Sequence, residues 1–137
     1  MPKELFFDIG ANLNHPSFKK DMDEVIQNAI KVGVVRMCIT GTDLDDSITA
    51  SQVALSLPET LISTAGIHPH QAKLYSSEYF SEIKDLLKLD QVKAIGETGL
   101  DFYRNFSTKE KQKKSFEAHL EIALDLQIPL FLHVREA

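Results

Sequence analysis

Five short runs of β-branched and aromatic residues alternate along the chain with segments of helical spacing, and this alternation constrains the fold more than any other feature. Each run is apolar at consecutive positions, which is typical of strands covered on both faces. Neighbouring runs lie roughly 30 residues apart, the length of a βαβ unit. The pattern therefore predicts a parallel sheet with right-handed helical crossovers. The predicted strands are Leu5–Ile9, Val34–Thr40, Leu61–Ala65, Val92–Gly96 and Leu130–His133.

Apolar stripes predict four helices between these strands. The first precedes Gly33, a residue suited to the left-handed turn that ends many helices. The second starts near Asp43, and the third follows a cap at Ser76. Ser107 and Glu110 have the spacing of a capping box before the fourth helix. The stripe residues are Phe18, Met22, Val25, Ile26, Ala29 and Ile30 in the first helix, Tyr79, Phe80, Ile83, Leu86 and Leu87 in the third, and Phe116, Leu120, Ala123 and Leu124 in the fourth.

Two α/β architectures fit this pattern: an incomplete parallel (β/α) barrel and a five-stranded open doubly wound sheet. The chain has 137 residues, of which 43% are hydrophobic, so we expect residues 1–137 to form a single domain. No run approaches the length of a membrane span, and no membrane partner is expected. The single cysteine, Cys38, favours a reducing, cytoplasmic location, or the nucleus in a eukaryote.

The formal net charge is −5, which argues against a protein that coats nucleic acid through general positive charge. A substrate that contains phosphate would need a local source of attraction. The Lys-rich segment 109–114 is interpreted as the solvated first turns of a helix, with contact to a polyanion as the lesser alternative.

Polar side chains follow the carboxyl ends of the predicted strands, where parallel α/β folds bind their ligands. Imidazoles and carboxylates that meet there can hold a divalent ion, because neutral histidine and ionised carboxylate coexist near neutral pH. Such an ion would supply positive charge that the composition lacks. In chain order these residues are Asp8, Gly10, Asn12, Asn14, His15, Thr40, Gly41, Thr42, Asp43, His68, His70, Glu97, Asp101, Arg104, His133, Arg135 and Glu136.

For several of these residues a structural role competes with a functional one. Glu97 favours function, because an unpaired carboxylate next to an apolar strand is costly to bury. His133 is equally well interpreted as a core histidine. The segment His68–His70 fits a turn as well as a metal site. Arg135 has Glu136 or a phosphate as its alternative partners.

The segment Gly96–Phe102, together with Ala65–His70 and Leu132–Arg135, resembles the TatD-type metal-dependent deoxyribonucleases. The segments Phe7–Leu13 and Ile39–Thr42 are similar as well, so the resemblance covers essentially the whole chain. It implies a TIM barrel of the amidohydrolase type with divalent ions at its carboxyl-terminal mouth. The implied activity is hydrolysis of phosphodiester bonds in DNA, as a 3′→5′ exonuclease on single strands.

The resemblance also implies roles for individual residues. Glu97 matches the carboxylate that ligates the metals and is the catalytic candidate, and His133 matches a histidine ligand at the end of the fifth strand. Magnesium is the expected ion, with manganese or zinc as alternatives. The residues expected to contact the substrate are His68, His70, Arg135, Asn12 and Asp101.

Two departures from the family pattern qualify these expectations. Many relatives begin with a His-x-His pair where this sequence has Gly10 and Asn12, so the first metal is expected to be held differently. An eight-stranded barrel takes roughly 200 residues or more, whereas this sequence has five predicted strands. The alternative is therefore an inert or incomplete fragment that needs a partner or a C-terminal half. Open edges at the first and fifth strands predict self-association.

Overall fold

The computed structural model describes residues 4–137, and residues 1–3 of the predicted domain lie outside the described residues. None of the helices in this part of the chain combines the length and the apolar character needed to cross a membrane. The strands are β1 (Phe6–Ala11), β2 (Val34–Ile39), β3 (Leu61–Ala65), β4 (Val92–Asp101) and β5 (Leu130–Arg135). The helices are α1 (Met22–Lys31), α2 (Leu44–Ser56), α3 (Ser77–Leu86) and α4 (Lys109–Leu126), with short 3-10 helices at Pro16–Phe18 and Pro69–Leu74.

The strands pair in chain order, from β1 to β5, and every pair is parallel. A doubly wound sheet reverses its winding at a switch point, so its strands do not follow one another in sequence across the sheet. Right-handed crossovers that all step in one direction place the helices on one face and curl the sheet. The predicted barrel-type architecture is confirmed as a curled half-barrel, and the open doubly wound alternative is wrong.

Two apolar clusters attach the helices to the sheet. One joins α1 and α2 to the first three strands, and the other joins α3 and α4 to β3 and β4. Their burial removes large apolar areas from water and stabilises the strand order. The buried members are Leu13, Ile26, Met37, Ile39, Ala50, Ala54 and Leu61 in the first cluster, and Ala65, Ile67, Phe80, Ile83, Leu87, Val92, Ile95 and Ala123 in the second.

The start of α4 differs from the sequence prediction. Thr108, not Ser107, caps the helix, and its Oγ1 accepts a hydrogen bond from Lys111 N at 3.3 Å. Ser107 Oγ instead accepts from Lys73 N at 3.0 Å and donates to His70 O at 3.1 Å. The capping-box prediction was wrong because the Ser107 hydroxyl ties the segment after β3 to the beginning of α4.

The sheet-facing side of α4 is more polar than its apolar stripe predicted. Ala123 is buried as expected, but Leu124 is 78% exposed. The other buried residues of this helix are Gln112, Ser115 and His119. The side chains of Gln112 and His119 hydrogen-bond to backbone atoms of β4 and of the segment after β3, so this face of α4 contacts the sheet through polar groups as well as apolar ones.

Strand β4 is longer than predicted, since its pairing with β5 continues past Gly96 to Asp101. The register shifts by one residue between Gly96 and Thr98. Glu97 is therefore the extra residue of a β-bulge. A bulge bends the strand and redirects the side chain of the extra residue, so it determines the direction of the Glu97 side chain near the carboxyl end of β4.

Strands β1 and β5 form the two edges of the sheet, and each has one hydrogen-bonded neighbour strand within residues 4–137. Both edges carry apolar side chains that are between 50% and 64% exposed. These side chains belong to Phe6, Phe7, Ile9, Leu132 and Val134. The structure thus has the open edges that the sequence predicted.

The close approach of β4 and β5 makes Gly99 difficult to replace. Its φ is +143°, and an added Cβ would overlap the carbonyl oxygen of His133. We expect Gly99→Ala to lower the free energy of unfolding in urea by roughly 2–4 kcal/mol, because both the backbone conformation and the overlap cost energy. Gly10→Ala is the matched control, since its nearest neighbour is the far end of the Phe131 ring at 3.2 Å. Equal losses in the two variants would contradict this account.

Candidate functional site

The carboxyl ends of three adjacent strands bring three imidazoles and two carboxylates together. His68 and His70 follow β3, Glu97 and Asp101 lie on β4, and His133 lies on β5. One nitrogen from each imidazole lies within 4.8 Å of the others. The convergence of histidines and carboxylates that the sequence predicted is therefore present at the carboxyl ends of β3, β4 and β5.

Glu97 contacts two of these imidazoles. Its Oε1 lies 3.1 Å from His133 Nδ1 and 3.6 Å from His68 Nε2. The contact with His68 is the largest cause that lowers the pKa of Glu97, and the contact with His133 adds to it against the opposing effect of burial. Glu97 is thus held ionised, which is the form that a metal ligand requires.

Asp101 is 1% exposed and uses both of its oxygens. Oδ2 lies 2.9 Å from His70 Nε2 and 2.9 Å from His133 Nε2. Oδ1 accepts hydrogen bonds from Tyr103 N at 3.1 Å and from Arg104 N at 2.8 Å. Burial raises the pKa of Asp101, but these hydrogen bonds outweigh it and hold the pKa well below its ordinary value.

The contacts of Asp101 favour a role other than the predicted contact with substrate. A substrate contact requires an accessible oxygen with a free lone pair, and both oxygens of this carboxylate already accept two contacts each. Its Oδ2 is placed to orient the imidazoles of His70 and His133, an arrangement found where a carboxylate positions histidines that bind a metal.

His68 presents a proton to the site. Its Nδ1 accepts a hydrogen bond from His70 N at 3.0 Å, so a neutral ring carries its proton on Nε2. That Nε2 is the atom facing Glu97. Binding a metal through Nε2 would require His68 to give up the backbone hydrogen bond, so His70 and His133 are the better nitrogen ligands.

The donor set fits a divalent cation. His133 has a carboxylate oxygen close to each ring nitrogen, Glu97 at Nδ1 and Asp101 at Nε2. Imidazole nitrogens and carboxylate oxygens in one cluster are the ligands that divalent metals take in proteins. The two carboxylates also concentrate negative charge where a cation would lie.

A cavity of about 220 Å³ adjoins the cluster. Some of the remaining predicted site residues line this cavity, and others do not. Asn12 is exposed and lines this cavity, whereas Gly10 contributes no side-chain ligand. Arg135 does not line it, because its guanidinium lies over the Tyr103 ring, 3.9 Å from the ring centroid. The lining residues are Asn12, Thr42, His68, His70, Gln71 and Glu97.

Gln112, which the sequence analysis did not identify, clamps the end of β4. Its fully buried side chain accepts a hydrogen bond from Asp101 N at 2.8 Å. It also donates to Asp101 O at 3.0 Å and to Ser107 O at 2.8 Å. The sequence does place this polar residue on the side of α4 that is buried. A search for apolar residues at helical spacing does not detect it.

His119 supports the backbone directly before His68. Its Nε2 accepts a hydrogen bond from Ile67 N at 2.9 Å, and its Nδ1 donates to Ser115 O at 2.6 Å. Burial lowers the pKa of His119 to about 4. This buried histidine was also missed, and for the same reason as Gln112.

The sequence is similar to known proteins over nearly its whole length. The sequence model of the TatD related DNase family matches residues 7–137. Over 131 residues, the chain is 46% identical to a 3′-5′ ssDNA/RNA exonuclease TatD from Pantoea and 47% identical to one from Musicola paradisiaca. Both alignments cover 96% of this chain and 50% of the relative, so the chain spans about half the length of the curated relatives it matches.

Solved structures show the same arrangement of strands. A TatD family hydrolase from Entamoeba histolytica superimposes with a TM-score of 0.88 at 30% identity, over 99% of this chain and 52% of that protein. An amidohydrolase from Saccharomyces cerevisiae superimposes with a TM-score of 0.80 at 27% identity, over 97% of this chain and 49% of that protein. The half-barrel therefore matches one half of larger folds.

The contacts of His119 predict a pH dependence of stability. Its pKa is about 4 in the folded chain against an ordinary 6.5, so below pH 6.5 the unfolded chain takes up a proton that the folded chain does not. Stability should fall as the pH falls, by about 1.5 kcal/mol between pH 6.5 and about pH 5. His119→Gln should flatten this dependence, since an amide makes both hydrogen bonds without titrating. Urea unfolding at the two pH values measures the difference, and equal slopes for both proteins would refute it.

Proposed function

The chain belongs to the TatD related DNase family, and from this premise we propose that it carries a metal centre for the hydrolysis of phosphodiester bonds in nucleic acid. The observation that carries the proposal is the bulged position of Glu97 on β4, where imidazoles from the ends of two other strands contact its carboxylate. The lowered pKa of Glu97 supports the same conclusion.

In this proposal Glu97 and His133 are the metal ligands, and Glu97 is the catalytic residue. His70 is a third candidate ligand, because its ring is oriented by Asp101 and lies beside the same cavity. Magnesium is the proposed ion, with manganese and zinc as alternatives. A divalent ion held by these residues would supply positive charge for phosphate oxygens and would activate water for the hydrolysis.

The remaining side chains bind and orient the substrate. The Nε2–H group of His68 lies 3.6 Å from Glu97 Oε1, and both residues line the cavity, so this group is the proposed donor to a phosphate oxygen. The Asn12 amide lies in the same cavity and provides a further polar contact. Asp101 keeps the imidazoles of His70 and His133 in place during the reaction.

Single-stranded DNA is the proposed substrate, and 3′→5′ removal of nucleotides is the proposed direction. The names of the curated relatives, which are 3′-5′ ssDNA/RNA exonucleases, support both statements and leave RNA as an alternative. A cytoplasmic location is part of the proposal. Burial raises the pKa of the Cys38 thiol to about 11, which suits a cysteine kept reduced as a packing residue.

A second candidate function follows from the open edges of the sheet. The chain spans about half the length of its curated relatives, and exposed apolar side chains lie on both β1 and β5. We therefore propose, as the alternative, that these residues form an incomplete enzyme that requires a C-terminal half or another chain. Unpaired backbone groups at both edges would then lead the 137-residue chain to self-associate.

Loss of the Glu97 carboxylate tests the nuclease proposal. We expect Glu97→Ala to reduce magnesium-dependent release of nucleotides from a 3′-labelled single strand by at least about a hundredfold, because a metal ligand is removed. Glu117→Ala is the matched control, since it removes the same charge from an exposed position on α4. Circular dichroism checks that both variants fold.

The outcomes separate the two candidate functions. Release that depends on magnesium and on Glu97 supports the nuclease. Equal release by wild type and Glu97→Ala would remove Glu97 from the mechanism. No release by a folded wild-type chain, followed by activity when a C-terminal half is added, would establish the incomplete enzyme.

Self-association has its own test. In sedimentation velocity, the 137-residue chain should sediment faster as its concentration rises, because edge strands pair with one another. Val134→Lys places a charge on the β5 edge and should weaken this dependence. Leu55→Lys is the control, since Leu55 is similarly exposed, at 57%, but lies on α2. A particle of monomer size at every concentration would count against edge pairing.

A further inference from the structure

Two exposed aromatic side chains lie beside the candidate metal centre, in the loop between β4 and α4. Tyr103 is 53% exposed and Phe106 is 56% exposed. The Phe106 ring packs edge-on against the His70 ring, with centroids 4.9 Å apart. Exposed aromatic rings at the border of a polar site are typical of a surface that binds something else.

Three cations lie over aromatic rings in this region. The pairs are Arg135 over Tyr103 at 3.9 Å, Arg104 over Phe106 at 5.9 Å and Lys109 over Phe102 at 4.8 Å from the ring centroids. Within residues 4–137, none of these cations forms a salt bridge with a carboxylate, and Arg135 does not pair with Glu136. Their charges therefore remain available to an anionic ligand.

The local charge is opposite to that of the chain. Residues 102–114 contain five Lys or Arg residues and one Glu, a net charge of +4, whereas the whole chain has −5 and the rest of it therefore −9. The four lysines of this segment are all exposed. This segment is the local source of attraction for phosphate that the composition as a whole lacks.

We propose that Tyr103, Phe106, Arg104 and Arg135 form an aromatic platform that binds single-stranded nucleic acid next to the metal centre. Unpaired bases stack on the two rings and on the guanidinium planes, while the cations contact the phosphates. The platform rests on the proposed function and extends it to a specific surface. The contact between Phe106 and His70 joins that surface to the site of hydrolysis.

The platform gives a physical reason for a preference for single strands. A duplex keeps its base faces stacked inside the helix, so exposed rings gain little from it beyond general charge attraction. A single strand offers every base face, and stacking on an aromatic ring is tolerant of sequence. The platform thus selects for strandedness and not for base identity.

Tyr103 is the residue that tests the proposal. Fluorescence anisotropy in EDTA, where no cleavage occurs, measures binding of a labelled oligo(dT) of about 12 nucleotides. Tyr103→Ala should weaken this binding at least about fivefold, and Tyr103→Trp should restore it because stacking is retained. An abasic strand of the same length should bind wild type and Tyr103→Ala equally.

Two further variants separate stacking from general effects. Phe7→Ala removes a ring that is 50% exposed on β1, and its binding of oligo(dT) should match that of wild type. Arg104→Gln should reduce the slope of log affinity against log salt concentration by about one, because one phosphate contact is lost. Arg36→Gln, at an exposed position on β2, should leave that slope unchanged.

Different experimental results would contradict the proposed platform and the proposed nuclease activity. Equal binding of oligo(dT) by wild type and Tyr103→Ala, or equal losses on the oligo(dT) and the abasic strand, would overturn the platform even if magnesium-dependent cleavage persists. Tyr103-dependent binding without any cleavage would support the platform and would contradict hydrolysis by the 137-residue chain alone. No measurable binding of oligo(dT) by the folded wild-type chain would overturn the platform as well.

Discussion

The ionised carboxylate of Asp101 is the constraint on which the rest of the site depends. A buried charge is costly unless its hydrogen-bonding capacity is filled, and here four contacts fill it. Two of them come from the backbone that follows β4, and two come from the imidazoles of His70 and His133. The charge therefore holds β3, β4, β5 and the loop after β4 in one arrangement, and any displacement of one of them leaves it underbonded.

Helix α4, which packs beneath the site, also supplies buried hydrogen bonds to it. Gln112 fixes the backbone at Asp101, and His119 fixes the backbone before His68. Both contacts are buried, so each lost partner would leave a polar group without water. The position of α4 is in this way set by directional hydrogen bonds as well as by apolar packing, which does not by itself fix the rotation of a helix.

Sequence patterns predicted a parallel sheet and the meeting of Glu97, His133, His68 and His70, because the carboxyl ends of parallel strands lie on the same side of a sheet. They left the barrel and the open sheet as alternatives, and the family resemblance favoured the barrel. They were insufficient for the bulge, since glycines on both sides of it have no side chains to extend the apolar pattern of β4. They also missed Gln112 and His119, whose partners are backbone atoms of distant segments that no periodicity in α4 encodes. The burial of Asp101 depends on the same long-range contacts.

The bulge at Glu97 also fixes which side chains of β4 lie on each face of the sheet beyond it. Opposite faces of a strand alternate residue by residue, and the single extra residue resets that alternation between the apolar half of β4 and its polar end. An insertion or deletion of one residue between Gly96 and Asp101 would exchange the two faces of everything beyond it. The length of this segment is therefore fixed, because any change of one residue would turn Asp101 away from His70 and His133.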